Sequence, residues 1–141
     1  MTRFVIGPDV ALLLARDEAV IPDEHQVLAP TLVRSQVLAL AYRAVRSGEM
    51  TRADAEHHLA YVRGLRLRLL GDRVLQRVAW DVADRLGWPD TLDAEYIALT
   101  QLQADAFVTL DPELAVAVRG LVRVAPLEDL LVSRTAATRG S

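Results

Sequence analysis

The chain has 141 residues, a formal net charge of −3 and a hydrophobic content of 52%. This length suits a single domain with a sizeable core. The longest uninterrupted apolar run, residues 10–15, is far shorter than the roughly 18 residues that a membrane span needs. The sequence has no cysteine and no signal-peptide pattern, so neither disulfides nor secretion are indicated. We therefore expect a cytoplasmic protein without a membrane partner.

Short hydrophobic segments with strand-like patterns recur along the chain. Gly7-Pro8 ends the first of them, and within residues 65–70 Leu and Arg alternate, which predicts a half-exposed strand. The polar segment 16–26, which includes His25, is typical of a surface connection. The predicted strands are residues 3–6, 27–29, 65–70, 107–110 and 121–125.

Helical spacing of apolar residues and clear end signals predict the helices between these strands. Pro30-Thr31 starts a long helix that ends at Ser47-Gly48, and Thr51 with Asp54 forms a capping-box pattern at the start of the next one. Gly87 stops the fourth helix. The predicted helices are residues 9–15, 30–46, 51–62, 72–86, 93–102, 112–118 and 126–132.

Strands and helices alternate, with two helices between the second and third strands. This order is typical of a parallel sheet that helices cover on both faces. We expect a three-layer α/β/α fold with a sheet of about five strands, in which residues 1–132 form one domain. Residues 133–141 are small, polar and aperiodic, so we expect them to form a disordered tail.

Two acidic residues flank the strand in the stretch TLDAEYIALTQLQADAFVTLDP, residues 91–112. Asp93 opens the helix before the strand, and Asp111 follows the strand. Open α/β sheets bind ligands at the carboxyl edge, so two acids that meet there suggest a divalent cation. Each acid alone also has a structural explanation, because Asp111 before Pro112 suits a helix N-cap and Asp93 in a first turn suits the helix dipole.

The order D-A-x-Y-x-A-L, a short loop, a hydrophobic strand and T-x-D, in residues 93–111, resembles the C-terminal half of a PIN domain, the nuclease fold of VapC-type toxins. The resemblance extends loosely from about residue 4 to residue 131. It implies an Mg²⁺- or Mn²⁺-dependent endoribonuclease, the toxin of a type II toxin–antitoxin pair. Asp93 and Asp111 would hold the metal, and Thr109 would support Asp111. The implied partners are RNA, a small antitoxin protein and a second copy of the chain in a homodimer.

Two positions depart from the family pattern. Gly7 stands where the first strand of the family delivers an acid, and Gln36 stands where a Glu is common, so it would lend a neutral oxygen or an outer-shell contact. Asp9 either reaches the same edge as a third acid and metal ligand or only caps the following helix. If Gly7 holds the acid position, Gly7→Asp should strengthen metal binding and RNA cleavage. If Asp9 fills that position, the same change should leave activity flat or lower.

These departures keep a second hypothesis open, a degenerate PIN domain that binds RNA or a protein partner without cleaving. A small-molecule phosphohydrolase ranks last, because no glycine-rich phosphate loop occurs. Arginines around the strand at 65–70 are candidates for RNA phosphate contacts, or alternatively are solvated residues that protect an edge strand. We expect Trp80 to be a packing residue. The RNA-binding candidates are Arg63, Arg66, Arg68 and Arg73.

Overall fold

The structure of the protein is a computed structural model that describes residues 1–132. Within that range strands and helices alternate as the sequence predicts, with two helices between the second and third strands. The expected disordered tail, residues 133–141, lies outside the described residues. The strands are β1 (Thr2–Ile6), β2 (His25–Pro30), β3 (Arg68–Leu70) and β4 (Ala106–Val108). The helices are α1 (Pro8–Arg16), α2 (Val33–Arg46), α3 (Arg52–Gly64), α4 (Arg73–Leu86), α5 (Leu92–Gln103), α6 (Pro112–Val118) and α7 (Leu127–Leu131).

All four strands run parallel in one sheet, in the order β3-β2-β1-β4. Val5 in β1 pairs with Leu28 of β2 on one side and with Phe107 of β4 on the other. Parallel crossovers are right-handed, so the path from β1 to β2 to β3 places α1, α2 and α3 on one face. The return from β3 to β4 places α4 and α5 on the opposite face. The fold is therefore α/β, and the carboxyl ends of β1 and β4 lie side by side.

Helix α5 is the most deeply inserted helix of the fold. Every residue from Tyr96 to Thr100 is buried, and a helix that is apolar on most of its surface belongs inside a core. The first turn of α5 leaves the core and carries Asp93 to the edge of the sheet. No helix within residues 1–132 is long and apolar enough to cross a membrane.

The predicted start signal of α3 and the predicted stop signal of α4 are confirmed. Thr51 and Asp54 form a capping box at the start of α3, and the Asp72 carboxylate accepts the N–H of Leu75 at 2.8 Å at the start of α4. Gly87 ends α4 with φ of 68°, a left-handed conformation that glycine adopts without steric cost.

The sheet has four strands rather than the expected five. Residues 121–125 form only an isolated parallel bridge between Val124 and Phe107, with two backbone hydrogen bonds of 2.9 Å. The predicted strand 65–70 shortens to β3, because α3 continues to Gly64 and Leu65 forms its C-cap. The long helix α2 begins at Val33 rather than at residue 30, because β2 extends to Pro30.

Two further local predictions were wrong. His25, expected in a loop, begins β2, where its ring packs edge-on against Phe4 at 5.2 Å and its Nε2 donates to the carbonyl of Val132 at 2.8 Å. Trp80, expected to pack, is 65% exposed, and the apolar Leu102 of α5 is 41% exposed as well. Periodicity located these helices but did not identify the helix faces that no neighbouring element covers.

Candidate acidic metal site

A small cavity of about 110 Å³ opens at the carboxyl ends of β1 and β4. Three aspartates from three different elements line it. Asp9 comes from the first turn of α1, Asp93 from the first turn of α5, and Asp111 from the turn between β4 and α6. The structure therefore brings together the acids that the sequence predicted at one sheet edge. The other lining residues are Gly7, Pro8, Tyr96, Phe107, Thr109 and Leu114.

Asp9 connects α1 to the turn that follows β4. Its Oδ2 accepts the N–H of Leu110 at 3.0 Å and the hydroxyl of Thr109 at 3.4 Å. Its Oδ1 accepts the N–H of Val10 at 2.8 Å. Hydrogen bonds to a carboxylate are stronger than bonds between neutral groups, so these donors hold the Asp9 side chain at the sheet edge. Asp9 does not cap α1, because the N-cap is Gly7 and no side chain caps it, and two of the donors to Asp9 belong to the turn after β4.

A side chain at Gly7 would meet the Asp9 carboxylate. Its backbone is extended, with φ of −77° and ψ of 168°, a conformation that any residue adopts. A Cβ at this position, however, would lie 2.6 Å from Oδ1 of Asp9. The Asp9 carboxylate therefore occupies the volume that a side chain at position 7 would need. This geometry favours Asp9 as the acid of the first strand end.

Asp111 caps α6 and also lines the cavity. Its Oδ1 accepts the N–H groups of Glu113 and Leu114 at 3.0 and 3.2 Å, which caps α6. Its carboxylate also lines the cavity. The Thr109 hydroxyl accepts the backbone N–H of Asp111 at 3.1 Å. The same hydroxyl donates to Asp9, so Thr109 links two of the three acids.

The pKa of Asp93 is affected by the neighbouring acids. Partial burial raises its pKa, and the negative charges of Asp90, Asp111 and Asp9 raise that pKa further. In residues 1–132 no side chain forms an ion pair with Asp93. Sequence reasoning missed Asp90, although its place just before α5, where its carboxylate accepts the N–H of Leu92 at 3.0 Å, is typical of a cap. The cavity wall is therefore acidic, without an internal counter-ion at Asp93.

Tyr96 is the second residue that sequence reasoning missed, although the D-A-x-Y pattern contains it. Its hydroxyl donates to Oε1 of Gln36 at 2.5 Å, which joins α5 to α2. Burial, followed by the charges of Asp9, Asp93 and Glu95, raises the pKa of Tyr96 far above its usual value. The phenol therefore keeps its proton and remains a donor. Gln36 contacts the hydroxyl of this cavity residue rather than lining the cavity itself.

The structure does not gather the four predicted RNA-binding arginines around the acids. Arg63 lies in α3, Arg66 in the connection to β3, Arg68 at the start of edge strand β3 and Arg73 at the start of α4. None of them lines the acidic cavity. Arg66 and Arg68 are exposed while Leu65, Leu67 and Leu69 are half-buried, so the predicted alternation of exposure is confirmed.

The donor set suits a hard divalent cation. Three carboxylates, without Cys or His, are the oxygen ligands that Mg²⁺ and Mn²⁺ prefer. Both oxygens of Asp93 and Oδ2 of Asp111 accept no hydrogen bond from the described part of the chain, whereas Asp9 uses both of its oxygens. Over the same residues no three acidic, His or Cys side chains converge on one point. The aspartates thus line the cavity with free lone pairs but are spread around it.

Comparisons with known proteins identify the fold and no more. No protein-family model and no curated protein matches the chain. Among solved structures, the crystal structure of PAE2754 from Pyrobaculum aerophilum is similar, with a TM-score of 0.70, 23% sequence identity and 96% of each chain covered. At this identity the likeness shows a shared fold over nearly the whole chain.

Proposed function

We propose that this protein is a PIN-type endoribonuclease that depends on Mg²⁺ or Mn²⁺ and acts as the toxin of a type II toxin–antitoxin pair in the cytoplasm. The observation that carries the proposal is the meeting of Asp9, Asp93 and Asp111 around one cavity at the carboxyl edge of a parallel sheet. The resemblance of residues 93–111 to the PIN pattern gives these acids their role. A bound divalent cation lowers the pKa of a water and neutralises charge on phosphoryl oxygens.

In this proposal the residues around the cavity have different roles. Asp93 and Asp111 offer the oxygens that no protein donor occupies, so they would hold the cation. Asp9, fixed by backbone donors from the turn after β4, would be the third acid. Thr109 would keep Asp9 and Asp111 in register with each other, since its hydroxyl contacts both. Tyr96 and Gln36 would fix the cavity wall by tying α5 to α2.

A cleavage assay tests this function. The wild-type protein should cleave a pool of structured RNA when Mn²⁺ is present and not when the metal is chelated. Asp93→Asn should lose at least about 100-fold in rate, because one charge at the metal is worth a few kcal/mol and each 1.4 kcal/mol corresponds to about tenfold. Asp23→Asn, an exposed acid in the connection between α1 and β2, is the matched control and should cleave like the wild type. Equal rates for Asp93→Asn and the wild type would contradict the proposal.

A second candidate is a degenerate PIN domain that binds RNA without cleaving it. One observation favours it: Asp9 uses both oxygens for protein donors, and the amide Gln36 replaces a charged side chain. A site that is short of charge binds metal weakly. Metal-independent RNA binding by the wild type, without cleavage at any Mn²⁺ concentration, would support this candidate over the nuclease.

The antitoxin partner is also part of the proposal. An apolar groove of about 600 Å³ runs between α2, α3 and the start of β3. Among residues 1–132, the charged residues that line it are Arg34 and Arg63, so it suits a segment that is both apolar and acidic. An adjacent reading frame for a short protein that co-purifies with this chain, and that Leu38→Arg in the groove releases, would support the assignment. A binding partner unaffected by Leu38→Arg would place the contact elsewhere.

A further inference from the structure

The carboxyl edge of the sheet is divided by charge. The acidic cavity occupies its β1–β4 half. The β2–β3 half is built from residues 31–35 after β2 and residues 71–77 after β3, and the N–H of Thr31 donates to the carbonyl of Leu70 at 3.2 Å, which joins the two strand ends. Adjacent strands are about 4.8 Å apart, so the centres of the two halves are about 10 Å apart. The β2–β3 half carries a net positive charge, from Arg34, Asp72, Arg73 and Arg77.

The arginines of the β2–β3 half are unpaired cations at the surface. Arg34, Arg73 and Arg77 are exposed, and none of them forms an ion pair within residues 1–132. The acid of these two segments, Asp72, caps α4 by accepting the N–H of Leu75 at 2.8 Å. Arg34 and Arg73 each occupy the first turn of their helix, where a cation opposes the helix dipole. Helix stability therefore does not explain the position of these two arginines.

Gln36 joins the start of α2 to the acidic cavity. Its Oε1 accepts the hydroxyl of Tyr96, a residue of the cavity wall, at 2.5 Å. A glutamine side chain also has two N–H donors on Nε2, and within residues 1–132 these donors have no partner and are not buried. The bond to Tyr96 thus holds an unpaired amide donor next to the cavity. Arg34 precedes Gln36 by two residues in α2, so the start of this helix supplies an amide and a guanidinium group on the side of the cavity where β2 ends.

We propose that an RNA strand enters the acidic cavity from the β2–β3 half, where the Gln36 amide and the Arg34 and Arg73 guanidinium groups donate to its backbone phosphates. This inference rests on the proposed nuclease function, because it gives the substrate of the same site a direction. Guanidinium groups match phosphate with two parallel N–H donors, and neutralised phosphates supply most of the affinity of a protein for a nucleic-acid backbone. The acids then hold the cation at the phosphate that is cleaved, and the three donors hold its neighbours on one side.

The other approaches to the cavity are less favourable for a phosphate backbone. An approach over β4 meets Glu113, an exposed acid in the first turn of α6, which repels phosphate. Arg66, one of the arginines predicted from the sequence, lines a pocket with Met1 and His25. Those two residues begin the chain and β2, so Arg66 lies toward the amino edge of the sheet, away from the acids. The β2–β3 half therefore combines positive charge with access to the cavity.

Metal-free RNA binding tests the proposed path. A labelled single-stranded RNA is titrated with the full chain in the presence of a chelator, where no metal-dependent cleavage occurs, and fluorescence anisotropy gives the Kd. Arg34→Ala and Arg73→Ala should each raise the Kd roughly threefold to tenfold, and should lower the slope of log Kd against log salt by about 0.7 for the lost phosphate contact. Arg46→Ala and Arg85→Ala change exposed arginines in the last turns of the same two helices. These variants are the matched controls and should bind RNA like the wild type.

Further readouts separate this role from a structural one. The Tm of Arg34→Ala and of Arg73→Ala should equal or exceed the wild-type Tm, since each variant loses a cation that opposes a helix dipole. In the cleavage assay both variants should raise KM with little change in kcat, as expected for contacts made equally in the ground state and the transition state. Gln36→Glu keeps the acceptor for Tyr96 but replaces the amide donors by a negative charge, so its metal-free Kd for RNA should also rise roughly threefold to tenfold.

Several results would overturn the proposal. A wild-type chain that binds no RNA at low salt would do so, as would Arg34→Ala and Arg73→Ala variants that bind RNA as tightly as the controls. An unchanged Kd in Gln36→Glu would overturn the Gln36 contact, and a larger loss in Arg66→Ala than in Arg34→Ala would move the path to the amino edge. The nuclease function fails separately. If the wild type cleaves no RNA but both arginine variants weaken RNA binding, the activity is wrong and the path stands, whereas cleavage with unchanged RNA affinity in both variants refutes the path alone.

Discussion

Gly7→Ala is expected to destabilise the protein, because the added methyl group would displace the Asp9 carboxylate. The new Cβ would lie 2.6 Å from Oδ1 of Asp9, well inside van der Waals contact. Moving the carboxylate loosens its bonds to the N–H groups of Leu110 and Val10, and a hydrogen bond to a charged group contributes about 1.5–3 kcal/mol. Alanine recovers about 0.4–1 kcal/mol by restricting the unfolded chain. The expected net loss is about 1–2 kcal/mol, or roughly 4–8 °C in Tm for a domain of this size.

Thermal and denaturant unfolding measure this loss, and two variants isolate its cause. Gly64→Ala is the matched control, because a Cβ there meets nothing within 4 Å, and it should unfold at or slightly above the wild-type Tm. In an Asp9→Ala background Gly7→Ala should cost little, since the clashing carboxylate is gone. Equal stability of Gly7→Ala and Gly64→Ala, or an undiminished cost in the Asp9→Ala background, would refute the reasoning. The same geometry favours the second of the two outcomes expected for Gly7→Asp, in which Asp9 already fills the acidic position and metal binding and RNA cleavage stay flat or fall.

Three further changes follow from the site. Tyr96→Phe removes the hydroxyl that Gln36 accepts and should cost about 1 kcal/mol of unfolding free energy, whereas the exposed control Tyr42→Phe should cost nothing measurable. Asp93→Asn should raise the Tm of the metal-free protein at neutral pH, because burial and the neighbouring acids raise the pKa of Asp93 in the folded state and its ionisation opposes folding above that pKa. The difference in Tm between variant and wild type should close as the pH falls below the ordinary value of 3.8. Thr109→Val, which removes the link between two acids, should weaken Mn²⁺ binding roughly tenfold by calorimetry, and unchanged affinity would show that Thr109 has no such role.

Local signals predicted the order of elements in the fold. The capping pair at Thr51 and Asp54 and the stop at Gly87 are each encoded within a few residues, and both are confirmed. The prediction of a fifth strand was wrong for a non-local reason. Whether residues 121–125 pair beyond a single bridge depends on their contact with Phe107 in another strand. Sequence periodicity contains no information about the length of that pairing.

The candidate site was also predictable only where the signal was local in the sequence. The positions of Asp93 and Asp111 next to a predicted helix and strand were sufficient to place them at one edge of the sheet. The sequence could not decide whether Gly7 or Asp9 holds the acidic position of the first strand end. That decision depends on a distance of 2.6 Å that only the folded backbone defines. The role of Tyr96 was not predicted, because its hydroxyl donates to Gln36, which is 60 residues away in the sequence.

The central claim is that Asp93 and Asp111 hold one divalent cation, and calorimetric titration with Mn²⁺ tests it most directly. The wild type should bind the metal, and Asp93→Asn and Asp111→Asn should each weaken binding at least about tenfold, since each removes a charged ligand worth upwards of 1.4 kcal/mol. Asp23→Asn should bind like the wild type. If both site variants bind Mn²⁺ as tightly as the wild type, the two carboxylates do not share a metal and the account of this site is wrong.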